Sequence, residues 1–448
     1  MTDKKTSADG RHHGTSPAPR EKRTSQDRRE ANRRNDTLVI DLPERRAGER
    51  RKNDRRTHKF SKSRNLIRYL KEKGLYPHER AYDQPMGVEV LFKNKKVINL
   101  ASVDYFNFAQ HPAIKKSAME AINKYGAGGF SSRFTMGYFS VHQELEEKLA
   151  EFMGKESVLI FNSGYLANLA VITSIMPKDA TIFLDQKCHI SIHHACQLSQ
   201  KTHFRFANND MADLEKVLQT NKDAPNKWSV TLGVFSSTGY LANLKELALL
   251  ARKYQARIFI DDAHGIGIYG DKLRGAADLH GVLDEIDLIM CPFQMAFGNI
   301  GAFVAGKDFL LQATPEEIWP YTYTFNIPPL NASCILKALE LLSTAGQDYK
   351  NRLLGNANYL RKNLVDIGYK VINPDGHIIP IVIGEELKMC EFVKFLFDKG
   401  VWVQPFYFPA VPKGQGTIRI TCTAGHTQKE LDQSIAVFAE GYSLIKTA

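Results

Sequence analysis

The chain has 448 residues, 43% of them hydrophobic and 24% charged, with a formal charge of +11 at pH 7. That length predicts two packed domains plus extras, the composition excludes a wholly disordered chain, and no uninterrupted apolar run reaches the roughly 18 to 20 residues of a membrane helix. Residues 1–60 hold 18 Lys and Arg against 10 Asp and Glu, so the body beyond them is close to neutral and nucleic acid is not an expected partner.

Six cysteines (Cys188, Cys196, Cys291, Cys334, Cys390, Cys422) stand without C-x-x-C pairs. This disfavours zinc and a disulfide framework, so no metal site is expected and a reducing cytoplasm is the simplest home. The basic start lacks the apolar segment and cleavage site of a secretory signal.

From Met1 to about Arg56 the sequence is rich in Ser, Asp, Arg and Pro, and only LVIDL (Leu38 to Leu42) has apolar character. Burial there cannot offset the entropy of ordering, so residues 1–57 read as a disordered, arginine-rich leader. Its paired arginines suit plain solvation or a docking arm for an acidic protein, RNA or membrane headgroups. After His58, FSKSRNLIRYLKEKGLYP spaces its apolar residues as a helix does and stops at Gly74 and Pro77. Residues 58–98 are therefore expected to form an N-terminal helix and arm.

Residues 99–340 alternate between two patterns. HPAIKKSAMEAINKYG and VHQELEEKLAEFMG are amphipathic helices, whereas SVLIFN, ATIFLD, SVTLGVFSS, ARIFIDD and DLIMCPF are short β-rich runs. Such alternation predicts an α/β fold: a mostly parallel, doubly wound sheet with helices on both faces and ligands at the carboxyl ends of its strands. Beyond Pro329 a long helical stretch leads to strands in YKVINP, HIIPIVIG, VWVQPFYFP and GTIRITCTA and to a closing helix. They form a smaller C-terminal α+β domain, placed at 341–448.

Three strand ends carry candidate chemistry. ARIFIDD runs into Asp261, Asp262 and His264: a carboxylate there can hold a ring nitrogen protonated and an imidazole can donate to a ring oxygen, although an acidic pair before a glycine turn also serves as a cap. FNSGYLAN opens a helix whose free N–H groups suit a phosphate, with Gly164 equally readable as a turn glycine. His189, in LDQKCHISIHH, can stack on an aromatic ring or simply bond within its loop.

Taken in order, N-S-G-Y-x-A-N, D-x-x-x-H-x-S, V-F-S, D-D-A-H-G-x-G, F-x-x-A-F-G-x-x-G and R-I-T-x-T-A, spread over roughly residues 60–445, resemble the α-oxoamine synthases. This is the pyridoxal-phosphate (PLP) family of 8-amino-7-oxononanoate synthase, 2-amino-3-ketobutyrate CoA ligase and serine palmitoyltransferase, with the fold-type I, class I/II aminotransferase architecture. The resemblance implies that Asp261 pairs with the pyridine nitrogen, His264 donates to the phenolic oxygen with Ser236 nearby, and His189 stacks on the ring. It further implies a phosphate cradle from the backbone at Gly164 and Tyr165, and Arg419 as the binder of an amino-acid carboxylate.

One position breaks the pattern. Where the family reads approximately T-F-G-K-A-F-G-x-x-G, this chain reads P-F-Q-M-A-F-G-N-I-G, and the surrounding residues hold the register, so Met295 takes the place of the Schiff-base lysine. A thioether can neither link to an aldehyde nor act as a base. Pro292 stands where a hydroxyl residue is usual, Gln294 replaces a small residue, Leu232 and Thr238 occupy usually acidic positions, and Val103 replaces an asparagine. The leading expectation is a PLP-fold pseudoenzyme, a supporting or regulatory chain, homodimeric or paired with a lysine-bearing paralogue, with PLP held noncovalently or not at all. The alternatives are an active acyltransferase joining an acyl-CoA to an amino acid, and a ligand- or partner-binding module with a basic docking tail.

Overall fold

The structure is a computed structural model that describes residues 67–82, 84, 86–311, 317–408 and 410–446. The leader assigned to 1–57 and most of the helix proposed after His58 lie outside the described residues; helical residues 69–72 precede a turn at Gly74. The fold belongs to the unit Tyr69–Ala448.

The centre of this unit is a seven-stranded sheet built from β3 (Ser157–Phe161), β4 (Thr181–Asp185), β5 (His203–Phe206), β6 (Lys227–Leu232), β7 (Arg257–Asp261), β8 (Leu288–Pro292) and β9 (Ala302–Gly306). The spatial order is β3-β9-β8-β7-β6-β4-β5, parallel from β8 to β5, with β9 antiparallel to both of its neighbours. Strands β4, β8 and β9 are buried along their whole length because helices cover both faces, which is why they read as unbroken apolar runs rather than alternating ones.

Caps and breakers written in the sequence set the helix ends. Helix α1 (Pro112–Tyr125) opens with Pro at its first position and stops at Gly126, where φ is 82°, and α2 (Ser140–Met153) stops at Gly154, where φ is 63°. Helix α3 (Gly164–Ala170) is capped by Ser163, whose Oγ accepts from Leu166 N at 3.3 Å; α4 (Ile190–Ser199) is capped by His189, α5 (Met211–Thr220) by Asp210 and α6 (Leu244–Lys253) by Asn243.

Helix α7 (Pro329–Ile367) is continuous for 39 residues. It packs on α1 and α2 at one end and on β10 (Ile378–Gly384) and the closing helix at the other. Beyond it, α8 (Glu386–Asp398) covers the antiparallel sheet β10-β13-β12, formed with β12 (Gln404–Phe406) and β13 (Gly416–Thr421), and α9 (Gln428–Lys446) packs on α7 and α8.

Several strands differ from expectation. VWVQPFYFP divides between two sheets: β11 (Val401–Trp402) runs parallel to β2 (Lys95–Asn99), itself paired with β1 (Glu89–Phe92), while β12 joins β13. YKVINP supplies only an isolated bridge between Val371 and Ile381. The run SVTLGVFSS ends as a strand at Leu232, and the Gly233 that follows is packed so closely on Asp262 that a Cβ would lie 1.9 Å from Oδ1.

Candidate functional site

The parallel strands present their carboxyl ends along one edge, and β7 delivers Asp261 there, level with Leu232 of β6 and Met290 of β8. Asp261 Oδ2 accepts from Asn168 Nδ2 at 2.9 Å and Oδ1 from Ala263 N at 3.2 Å. Asn168, fully buried on α3, also donates to Ser191 Oγ at 2.9 Å, and Ser191 Oγ lies 2.7 Å from His189 Nδ1. Burial pushes the Asp261 carboxyl up, opposed by Asn168, His189 and the Ala263 N–H. A network therefore links the aspartate to the histidine loop. Asn168 and Ser191 belong to it, although nothing in the sequence motifs that contain them assigns either a role.

Asp262 points elsewhere. It is fully buried, with Oδ2 accepting from Ala276 N at 2.7 Å and Oδ1 without a partner, and burial pushes its carboxyl up to about 7. Gly265 and Gly275 leave it room, since a Cβ on either would lie 2.1 or 2.0 Å from a carboxyl oxygen. Asp262 thus shapes the turn, and Asp261 faces the site.

His264 sits 2.6 Å from the Tyr105 hydroxyl through Nδ1. Burial, then the positive field of Arg419, His377 and His189, holds its pKa well below the ordinary value. Arg419 lies on β13 between Pro380 and Gln404, with its guanidinium 5.1 Å from the Phe406 ring. Its Nη1 donates weakly to the Ser236 carbonyl at 3.4 Å and its Nε has no partner, so the described residues offer this cation no carboxylate. Asp261, His189, His264, Ser236 and Arg419 therefore gather at one place.

The remaining expected residues are more loosely tied to it. Gly164 opens α3, and a side chain there would meet Pro292 Cβ at 3.2 Å and Met290 Sδ at 3.6 Å. Tyr165, the second residue of α3, is 42% exposed, and its hydroxyl pairs with His194 Nδ1 at 2.6 Å. Met295 is half-buried against the core in the turn from β8 to β9, where Phe293 N donates to Gly301 O and Asn299 N to Phe293 O.

Comparison with known proteins then supplies the family. Aminotransferase class I and II matches residues 95–438. The chain belongs to that family. Among class I and II relatives, 8-amino-7-oxononanoate synthase of Treponema denticola is 38% identical over 372 residues, covering 83% of this chain and 94% of that protein. Serine palmitoyltransferase of Bacteriovorax stolpii is 34% identical over 373 residues, covering 83% and 88%. The serine palmitoyltransferase of S. paucimobilis, solved as a lysine-to-alanine form with bound PLP-myriocin aldimine, superimposes with a TM-score of 0.84 at 28% identity, covering 88% of this chain and all of that one. Within the aminotransferase class, these relatives place the chain among the α-oxoamine synthases.

The class I and II family implies PLP, and the residues present fit its ring. Asp261 retains lone pairs for a ring N–H, while Arg419 Nε and Asn168 Oδ1 are buried polar atoms that a ligand would satisfy. At the start of α3 the donors are backbone N–H groups, and the neighbouring Pro292 has none to add. Lysines cluster at the other edge of the sheet: Lys155 Nζ donates to the carbonyls of Leu283 and Ile286, Lys201 to Ile172 and Thr173, Lys227 to Lys222 and Ala224, and Lys307 lies 3.8 Å from Asp287. On the site's edge, Lys187 is exposed in the loop after β4. Among the described residues no helix is long and apolar enough to cross a membrane, and no group of His, Cys, Asp and Glu could hold a metal ion.

Proposed function

We propose that this chain is an α-oxoamine-synthase-like protein that keeps the ligand pocket of its family without the covalent anchor and acts as a non-catalytic, supporting or regulatory subunit. The observation that carries this reading is the methionine at position 295, in the turn after β8, in a chain that has Asp261, His264 and Arg419. Asp261 would hold the pyridine nitrogen, His264 the phenolic oxygen and His189 the ring face, with Ser236 close by, the backbone of Gly164 and Tyr165 at the phosphate, and Arg419 at an amino-acid carboxylate. When bound, PLP supplies an electron sink. Met295 fills space as a flexible thioether and can move no proton. That a lysine-to-alanine serine palmitoyltransferase still holds a PLP adduct supports a pocket of this fold keeping such a ligand noncovalently.

A partner subunit, a second copy or a lysine-bearing paralogue, is supported by an exposed apolar rim. Phe134, Met136, Tyr323 and Phe325 are 55%, 78%, 79% and 64% exposed. Their two segments are joined by the Ser132–Phe325 bridge and by Asn326 Nδ2 donating to Gly137 O at 3.0 Å. Six free, buried thiols support a reducing compartment, the cytoplasm.

The test is borohydride trapping with PLP, followed by mass spectrometry of the full chain. The expected result is reversible binding without a trapped lysine in the wild type, and a trapped adduct with its visible band in Met295→Lys. A wild-type adduct, for instance on Lys187, together with acyl-CoA-dependent ketone formation, overturns the proposal. The second reading, an active acyltransferase condensing an acyl-CoA with an amino acid, is favoured by the retained Arg419 cation; it requires CoA release that Asp261→Asn abolishes.

A further inference from the structure

The tautomer of His264 decides what this pocket can recognise. A neutral imidazole has one N–H, and its position determines whether the other nitrogen donates or accepts. Two arrangements are compatible with a 2.6 Å separation between Tyr105 Oη and His264 Nδ1. If Nδ1–H donated, the proton of the fully buried tyrosine would need another acceptor, and among the described residues its hydroxyl has His264 alone. The Arg419 guanidinium also acts on Tyr105 and favours the arrangement in which the oxygen lone pair, not the proton, faces it. Donation from Tyr105 to an unprotonated Nδ1 meets both requirements and places the ring proton on Nε2.

The tyrosine is itself fixed. Its backbone carbonyl accepts from Ala424 N at 2.7 Å, and its ring meets the buried His377 edge-on, with centroids 4.5 Å apart. His377 Nδ1 lies 3.2 Å from the Tyr269 hydroxyl. Tyr105, His264, His377 and Arg419 come from four distant segments, so no spacing in the sequence announces them.

We propose that Tyr105 is a positioning residue that locks His264 as an Nε2–H donor, so the pocket selects ligands that present a hydrogen-bond acceptor, a phenolate or carbonyl oxygen, to that proton. The lock is a property of the free protein; its consequence for ligands rests on the reading that the pocket holds PLP. Protonation of His264 is opposed first by its burial and then by Arg419, His377 and His189 around it, which keeps the neutral form in place.

Two measurements decide it. Long-range proton–nitrogen NMR of the full chain with labelled histidine, assigned through His264→Gln, is expected to find the Nε2–H form in the wild type and a shift toward Nδ1–H in Tyr105→Phe. An Nδ1–H form in the wild type overturns the proposal whether or not PLP binds and whether or not the variant folds. In equilibrium titrations, Tyr105→Phe should weaken PLP about tenfold, the scale of one hydrogen bond to a strong acceptor, and weaken 3-deoxy-PLP, which lacks the ring oxygen, by less than about twofold. Equal weakening of both ligands makes Tyr105 a packing residue and also overturns the proposal. A wild type that binds neither ligand overturns PLP binding as the proposed function and, with it, the ligand-selection half of this inference, while the NMR result still decides the tautomer.

Discussion

Asp262 carries its carboxyl into a space bounded by three glycines and leaves one oxygen without a partner. Its pKa, pushed up to about 7 by burial, lies above the unfolded value, so the folded state favours the protonated form. The stability it contributes is complete below an unfolded pKa of about 4 and is lost as the pH rises through about 7. Chemical denaturation of the wild type across that window is expected to lose on the order of 4 kcal/mol relative to Asp262→Asn, which lacks the titration; parallel pH profiles for the two proteins would contradict this. The same scale marks the limit of what the sequence disclosed. Asp261, His264 and Arg419 were legible because short motifs carry them in order. The division of labour between Asp261 and Asp262 was not, because adjacent residues at a strand end diverge according to the glycines packed on them. Tyr105 was invisible for a related reason: its partner lies 159 residues away.

The loop of residues 126–137 is anchored to α2 by Arg133, whose Nη1 and Nη2 bond both oxygens of Glu146 at 2.5 and 2.8 Å, with Tyr138 adding a third bond. Both side chains of the pair are largely buried. Burial alone would drive the Glu146 carboxyl up, and Arg133 is the main force against it. Arg133→Ala should therefore destabilise the fold by about 3 kcal/mol, because an uncompensated carboxylate is left inside, whereas Arg133→Met with Glu146→Leu should be far milder. Thermal melts of the single and double variants check the order, and a double variant worse than the single would refute it. At this scale the helices were the readable part, since proline, glycine and polar caps mark their ends. Strands were read well where they are buried on both faces. They were missed where they are short and polar, as in β2 and β5, and misjudged where one apolar run serves two sheets, as in β11 and β12. Neither register nor sheet membership is written in a hydrophobic pattern.

For the molecule as a whole, the doubly wound architecture followed from alternating patterns, while the strand order and the antiparallel β9 followed from nothing local. Phe134, Met136, Tyr323 and Phe325 form an exposed apolar rim on two segments held together by the Ser132–Phe325 bridge, and under the proposed function it is the docking face for a partner subunit. Met136→Glu with Tyr323→Glu is expected to lower the association state in sedimentation velocity while leaving the circular dichroism unchanged. An unchanged sedimentation coefficient would remove this rim from consideration as a docking face.

The lysines tied to carbonyls and Asp287 lie along the edge formed by the amino ends of the parallel strands, opposite the candidate site. A five-residue strand spans about 17 Å, more than twice the reach of any lysine side chain, so no change of rotamer brings one of these amines across. Among the described residues of the sheet and its loops treated above, Lys187 alone stands at the site's edge, so under the proposed function an amine supplied by a ligand or by a neighbouring subunit is the natural substitute for one at position 295. Under the proposed function the fold is a receptacle whose reactive group is imported, and the identity of a partner at its rim would decide whether the pocket binds only or also reacts.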